Sequence, residues 1–101
     1  MNAILDTQTL VVEGETVALP LAVDAPLRKC YLDAGISTAR GGPFLHGTLM
    51  RTLVVADGVV PPLKLYSRDL RALFPRGGRV WLVVRYCGQL VALGELQLLI
   101  A

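Results

Sequence analysis

Apolar residues in this chain recur at alternate positions or in unbroken runs, and only once at helical spacing. The last quarter carries the strongest pattern. Arg79 to Tyr86 and Gln89 to Ile100 are runs rich in β-branched, aromatic and leucine residues, separated by Cys87-Gly88. Gly takes the positive φ that a tight turn requires, so the two runs read as a hairpin. With Cys87 and Gly88 at the turn, Tyr86 faces Gln89, Val84 faces Val91, Leu82 faces Leu93, and Trp81 lies opposite Gly94. On that register Val80, Leu82, Val84, Val91 and Leu93 share one face, and Trp81, Val83, Leu90, Ala92 and Leu96 share the other. A strand apolar on both faces is covered on both, by its own domain or by a neighbouring subunit.

Further upstream, Gln8 to Val12 and Thr16 to Val23 flank Glu13-Gly14-Glu15 and read as a first hairpin with a three-residue loop. Pro20 lacks an amide hydrogen, which puts the second of these strands at an edge or breaks it there. Leu27 to Leu32 reads as a short strand. Asp33 to Pro43 has no periodicity and several glycines, and reads as a long loop of the kind that serves function or is pinned by a partner. Phe44 to Ala56 returns to strand character, followed by the strong Asp57-Gly58 turn signal. Pro61-Pro62, ahead of Leu63 to Tyr66, marks an edge or a crossing between sheets.

Ser67 to Phe74 is the one convincing helix. Ser67 is expected to cap it, and Asp69 suits its positive end. Leu70, Leu73 and Phe74 fall on one face, with Arg68 and Arg71 outward. Pro75 and Gly77-Gly78 then terminate it. Six to eight short strands, regular turns and one short helix argue an all-β fold, an antiparallel β-sandwich or small barrel spanning residues 1–101 as a single domain. The expected core includes Leu70, Phe74, Trp81, Val83, Leu96 and Leu98.

Composition adds a surplus of apolar surface. Of the 101 residues, 53% are hydrophobic and 18% charged, against about 25% charged in an average soluble domain. The longest stretch without a charged residue is Gly41 to Met50, ten residues, whereas a spanning helix needs about 20. No basic segment followed by an apolar one opens the sequence, so no signal peptide is read. A protein–protein interface is then the expected sink for the surplus. Residues 1–60 carry six acids and four bases, and residues 61–101 two acids and six bases. Arg68, Arg71, Arg76 and Arg79 belong to that basic half and read as a solvated rim that keeps an apolar protein soluble or as a patch for phosphate or an acidic partner.

Candidate chemistry is sparse. His46 is the only histidine, and neither Cys30 nor Cys87 stands at metal-ligand spacing from it. Two cysteines are too few for a disulfide framework, and free thiols are expected. No phosphate-binding loop or dinucleotide fingerprint is present, and the eight carboxylates are scattered. No catalytic residue, metal site or cofactor is therefore assigned. A carbohydrate or single-stranded nucleic-acid module would need exposed aromatic platforms, for which Tyr31, Tyr66 and Tyr86 are the candidates.

In small size, high apolar content, lack of catalytic groups and lack of a secretion signal, the chain resembles the small β-sandwich structural proteins of tailed-phage particles, such as head decoration proteins and tail or fibre adaptors. That resemblance implies a non-enzymatic assembly subunit of a virion, built in the host cytoplasm. Its partners would be copies of itself, as a homo-oligomer, or larger virion scaffold proteins, with no membrane contact. Expected contacts are Arg40, Phe44 and Leu45 in and beside the Gly-rich loop, with Arg68, Arg71, Arg76 and Arg79. The alternative is a binding module for carbohydrate or single-stranded nucleic acid that uses the arginine patch.

Overall fold

The computed structural model describes residues 3–101. Its strands are β1 (Ala3–Ile4), β2 (Gln8–Val12), β3 (Thr16–Leu19), β4 (Cys30–Ser37), β5 (Met50–Val55), β6 (Leu63–Tyr66), β7 (Gly78–Tyr86) and β8 (Gln89–Ile100). One α-helix, α1 (Ser67–Leu73), and a 3-10 turn at Gly47–Leu49 complete the set. The fold is all-β with one short helix, as the turn spacing predicts. It is not purely antiparallel. A curled mixed sheet runs β1-β8-β7-β4-β5, with β2 also on β8, and forms a half-barrel; β3 and β6 make a separate two-stranded sheet.

The mixed character comes from the start of the chain. Both β1 and β2 run parallel to β8, pairing Ala3 with Ala92 and Gln8 with Leu96. The hairpin expected from Gln8 to Val23 does not form: β3 turns away from β2 and pairs antiparallel with β6, Val17 opposite Leu65. Its burial alternates, with Val17 and Leu19 inward and Thr16 and Ala18 outward, and it stops at Leu19 because Pro20 has no amide to donate.

The β7–β8 hairpin turns at Cys87-Gly88, with φ of 50° and 78°. Tyr86 pairs with Gln89 as its pattern predicts, but a bulge between Val84 and Arg85 then shifts the register by one. Val84 pairs with Ala92, Leu82 with Gly94, and Trp81 with Glu95 rather than Gly94. Because side chains alternate with period two, that shift exchanges the faces of β8. Ala92, Leu96 and Leu98 join Val80, Leu82 and Val84 in the main core, while Leu93 goes to the outer face with Val83. Gly94 is filled from another direction. A Cβ there would stand 2.8 Å from that of Leu5, so its absence lets the edge formed by β1 and β2 close onto β8.

Two further expectations change. Asp33 to Ser37 belongs to β4, a strand between β5 and β7, so the irregular segment is only residues 38–46. Phe44 and Leu45 lie in it and not in a strand, which begins at Met50. In α1, Ser67 is buried and is no cap: its hydroxyl donates to the Glu13 carbonyl at 3.3 Å and its amide to that of Glu15 at 2.9 Å. Tyr66 occupies the cap position without a side-chain hydrogen bond. Leu70 is buried in the core and Phe74 packs against it, but Leu73 is 43% exposed and does not share their face. Among the described residues no helix is long and apolar enough to cross a membrane.

Candidate functional site

The main sheet has one end where β4 begins and β5 and β7 finish. There Lys29, Cys30, Tyr31, Val54, Val55, Ala56, Tyr86 and Cys87 line a cleft of about 440 Å³. Antiparallel pairing creates it. Cys30 sits opposite Val55 and Tyr31 opposite Val54 on one side of β4, and β7 runs beside the other. Cys30, Val55 and Tyr86 reach the open end of the core, and Tyr31 and Val54 stand on the outer face.

Around the cleft the rim is unusually apolar. Tyr31 is 66% exposed, Val54 62%, Val59 68% and Leu27 54%. They are neighbours: Tyr31 pairs with Val54, Val59 bridges to Ala56, and the Leu27 carbonyl accepts from the Cys30 thiol. The Asp57-Gly58 turn is docked on the same corner by the Gly58 amide, which donates to the Arg28 carbonyl at 2.9 Å. Charge lies beside this patch, with Lys29 exposed at the cleft and Arg28 facing Asp57 across 3.6 Å. An apolar centre with a charged rim is the anatomy of a docking surface.

Both thiols at the cleft are free. Tyr86 holds its proton above the ordinary 10.0 of a phenol, first because a Cys87 thiolate would repel the phenolate. Burial, a hydrogen bond with Cys87 and the more distant Cys30 add to it in that order. Among the described residues no three His, Cys, Asp or Glu side chains come together, so the cleft offers two thiols and two phenols and no larger donor set. His46 is occupied structurally. Its Nδ1 accepts from the Thr48 amide at 3.2 Å and lies 2.9 Å from the Thr48 hydroxyl, capping the 3-10 turn.

The residues singled out by sequence lie elsewhere. The segment 38–46 folds back over the outer face of β4 and β7. Arg85 holds it there, donating to the Gly41 and Gly42 carbonyls at 2.9 and 3.4 Å and to Gly88 at 3.0 Å. Phe44 sits against Gly35, where a Cβ would come within 2.8 Å of its ring and 2.6 Å of the Leu49 carbonyl. Arg40 lies over the Trp81 ring, 5.7 Å from its centre. Trp81 is therefore half-buried on the outer face and outside the main core, a correction that follows from the shifted register. Val83 is buried on that same outer face, and Leu93 beside it touches the position of Gly41.

Of the four arginines, Arg79 faces Glu95 at 3.9 Å, and Arg68 faces Asp69 at 3.9 Å and lies 5.2 Å from the Tyr66 ring. Sequence reading missed Val54 and Val59, which look like ordinary strand residues until the sheet order leaves them uncovered. No family model, curated protein or solved structure matches this chain.

Proposed function

We propose that the protein is a non-enzymatic assembly subunit that docks through the β4–β5 end of its sheet onto a second copy of itself. One observation carries this reading: the exposed apolar side chains Tyr31 and Val54 at an open cleft, with Leu27 and Val59 exposed at the same corner. β5 is the last strand in the hydrogen-bonded order, so among the described residues its outer edge has no ladder partner. β6 approaches it near Arg51, whose guanidinium lies over Tyr66, which leaves the Leu53 to Val55 end for another chain. Unpaired edges beside apolar surface invite strand addition. A two-fold arrangement of two β5 edges would bury both patches at once, since such an interface uses the same surface twice. A repetitive scaffold such as a tailed-phage particle is the setting that the resemblance to small phage structural proteins implies.

Light scattering after size exclusion at micromolar concentration tests the reading. The parent should run as a dimer or larger closed oligomer, and Val54→Glu or Tyr31→Glu should return it to a folded 10.9 kDa species. Both side chains are exposed, so the substitutions spare the core. A parent that stays monomeric at high concentration would sink the proposal.

A further inference from the structure

Where β5 begins, beside the small β3–β6 sheet, three cations gather around one aromatic side chain. Tyr66, outward-facing at the end of β6, has the Arg51 guanidinium 6.0 Å and the Arg68 guanidinium 5.2 Å from its ring centre. Lys64 stands two residues earlier on the same outward face of β6, and Thr16 pairs directly with Tyr66 across the small sheet. Thr16, Arg51, Lys64, Leu65 and Tyr66 line a groove of about 230 Å³. We propose that this groove binds a phosphoryl oxyanion, with Arg51, Lys64 and the Thr16 hydroxyl, which line it, as its donors, and with Arg68, beside the Tyr66 ring at its margin, adding charge.

The argument begins with uncompensated charge. Like charges held together destabilise the folded chain unless a counter-charge joins them. Among the described residues, Asp69 is the one carboxylate within ion-pair distance of any of the three, and it stands 3.9 Å from Arg68 Nε. Arg51 is fixed in place: one terminal nitrogen donates to the Thr48 carbonyl at 2.9 Å and to the Met50 carbonyl at 2.7 Å. Among the described residues its other nitrogens have no hydrogen-bond partner, and the side chain lines the groove. A tetrahedral oxyanion accepts from several directions at once, which suits a guanidinium fork, an ammonium and a hydroxyl. Size decides what else enters. Sites that enclose a whole small ligand occupy about 300–1,000 Å³, so a groove this small takes the phosphate and leaves any attached sugar and base outside. Binding of that kind grips a backbone without reading sequence.

Two sources supply such a group, free phosphate and the phosphodiester backbone of a single strand. The full chain is titrated at low salt with inorganic phosphate and, separately, with a fluorescent thymidine oligonucleotide, following amide shifts and anisotropy. Shifts at Thr16, Lys64 and Tyr66 with phosphate alone assign a free-phosphate site; shifts with both assign a backbone site. In the backbone case Lys64→Gln and Arg68→Gln each weaken the oligonucleotide about three- to tenfold, and the salt slope flattens by roughly 0.7 for each phosphate that is no longer neutralised. Lys64→Arg, which keeps the charge, retains binding and controls for any loss of fold. The proposal is overturned if neither probe moves those amides, if the Gln variants bind as the parent does, or if polyglutamate displaces the oligonucleotide as effectively as phosphate.

Discussion

Cys87 adopts a left-handed backbone conformation, φ 50°, which costs an ordinary L-residue about 1–2 kcal/mol and Asn much less. The same side chain is the leading reason that Tyr86 holds its proton above 10.0. Cys87→Asn relieves both. It should raise stability by up to about 1 kcal/mol, because Asn-Gly is the preferred pair for this turn. It should also bring the Tyr86 titration back towards its ordinary value, since a negative thiolate no longer opposes the phenolate. Thermal melting reads the first effect and ultraviolet absorbance of the phenolate reads the second. An unchanged Tyr86 titration would assign its shift to burial. The turn itself is visible in the sequence, because Gly after Cys87 has a local conformational meaning. That Cys30 shares a cleft with Cys87 is not, since the pairing of β4 with β7 brings them together and leaves no local trace.

Among the elements, those defined by neighbouring residues were readable: the two tight turns, the break at Pro20, and the short helix before Pro75. Those defined by distant partners were not. β2 and β3 look like two arms of a hairpin across Glu13-Gly14-Glu15, yet each has a better partner far along the chain. The bulge at Val84 and Arg85 is hidden because both faces of the hairpin are apolar, so either register satisfies the pattern. The glycines of 33–43 obscured β4, where Gly35 is required by the close approach of Phe44 and Leu49. Behind that strand, the segment 38–46 depends on Arg85. Replacing Arg85 with Leu removes donors from three carbonyls, two of them in the segment. The expected loss is about 1–3 kcal/mol. Hydrogen exchange should accelerate across residues 38–46 before it does in β4 or β7. Uniform exchange with an unchanged melting temperature would show that Phe44 alone pins the segment.

For the whole molecule, dimensions are those of an ordinary domain. The accessible surface is 5910 Å², close to the roughly 5,600 Å² expected for this mass, and the radius of gyration is 12.8 Å, against about 13 Å for a chain of this length. The apolar surplus therefore does not loosen the fold; part of it stays outside, at the β4–β5 end with Leu27, Tyr31, Val54 and Val59 and along β1, β2 and β8 with Ile4, Val11 and Leu99. The parallel pairing of β2 with β8, Gln8 opposite Leu96, bears on how this shape is reached in time. During synthesis residues 8–12 leave the ribosome first and wait for a partner until residues 96–100 emerge. Loop closure over nearly the full chain must precede that pairing, which places refolding in the slow range of about milliseconds to seconds. A chain stopped after Gly88 should fail to show a cooperative melt by circular dichroism, while supplying residues 89–101 as a separate peptide should restore one. Until then the β2 edge that β8 covers in the finished fold stays open to water and to other nascent chains.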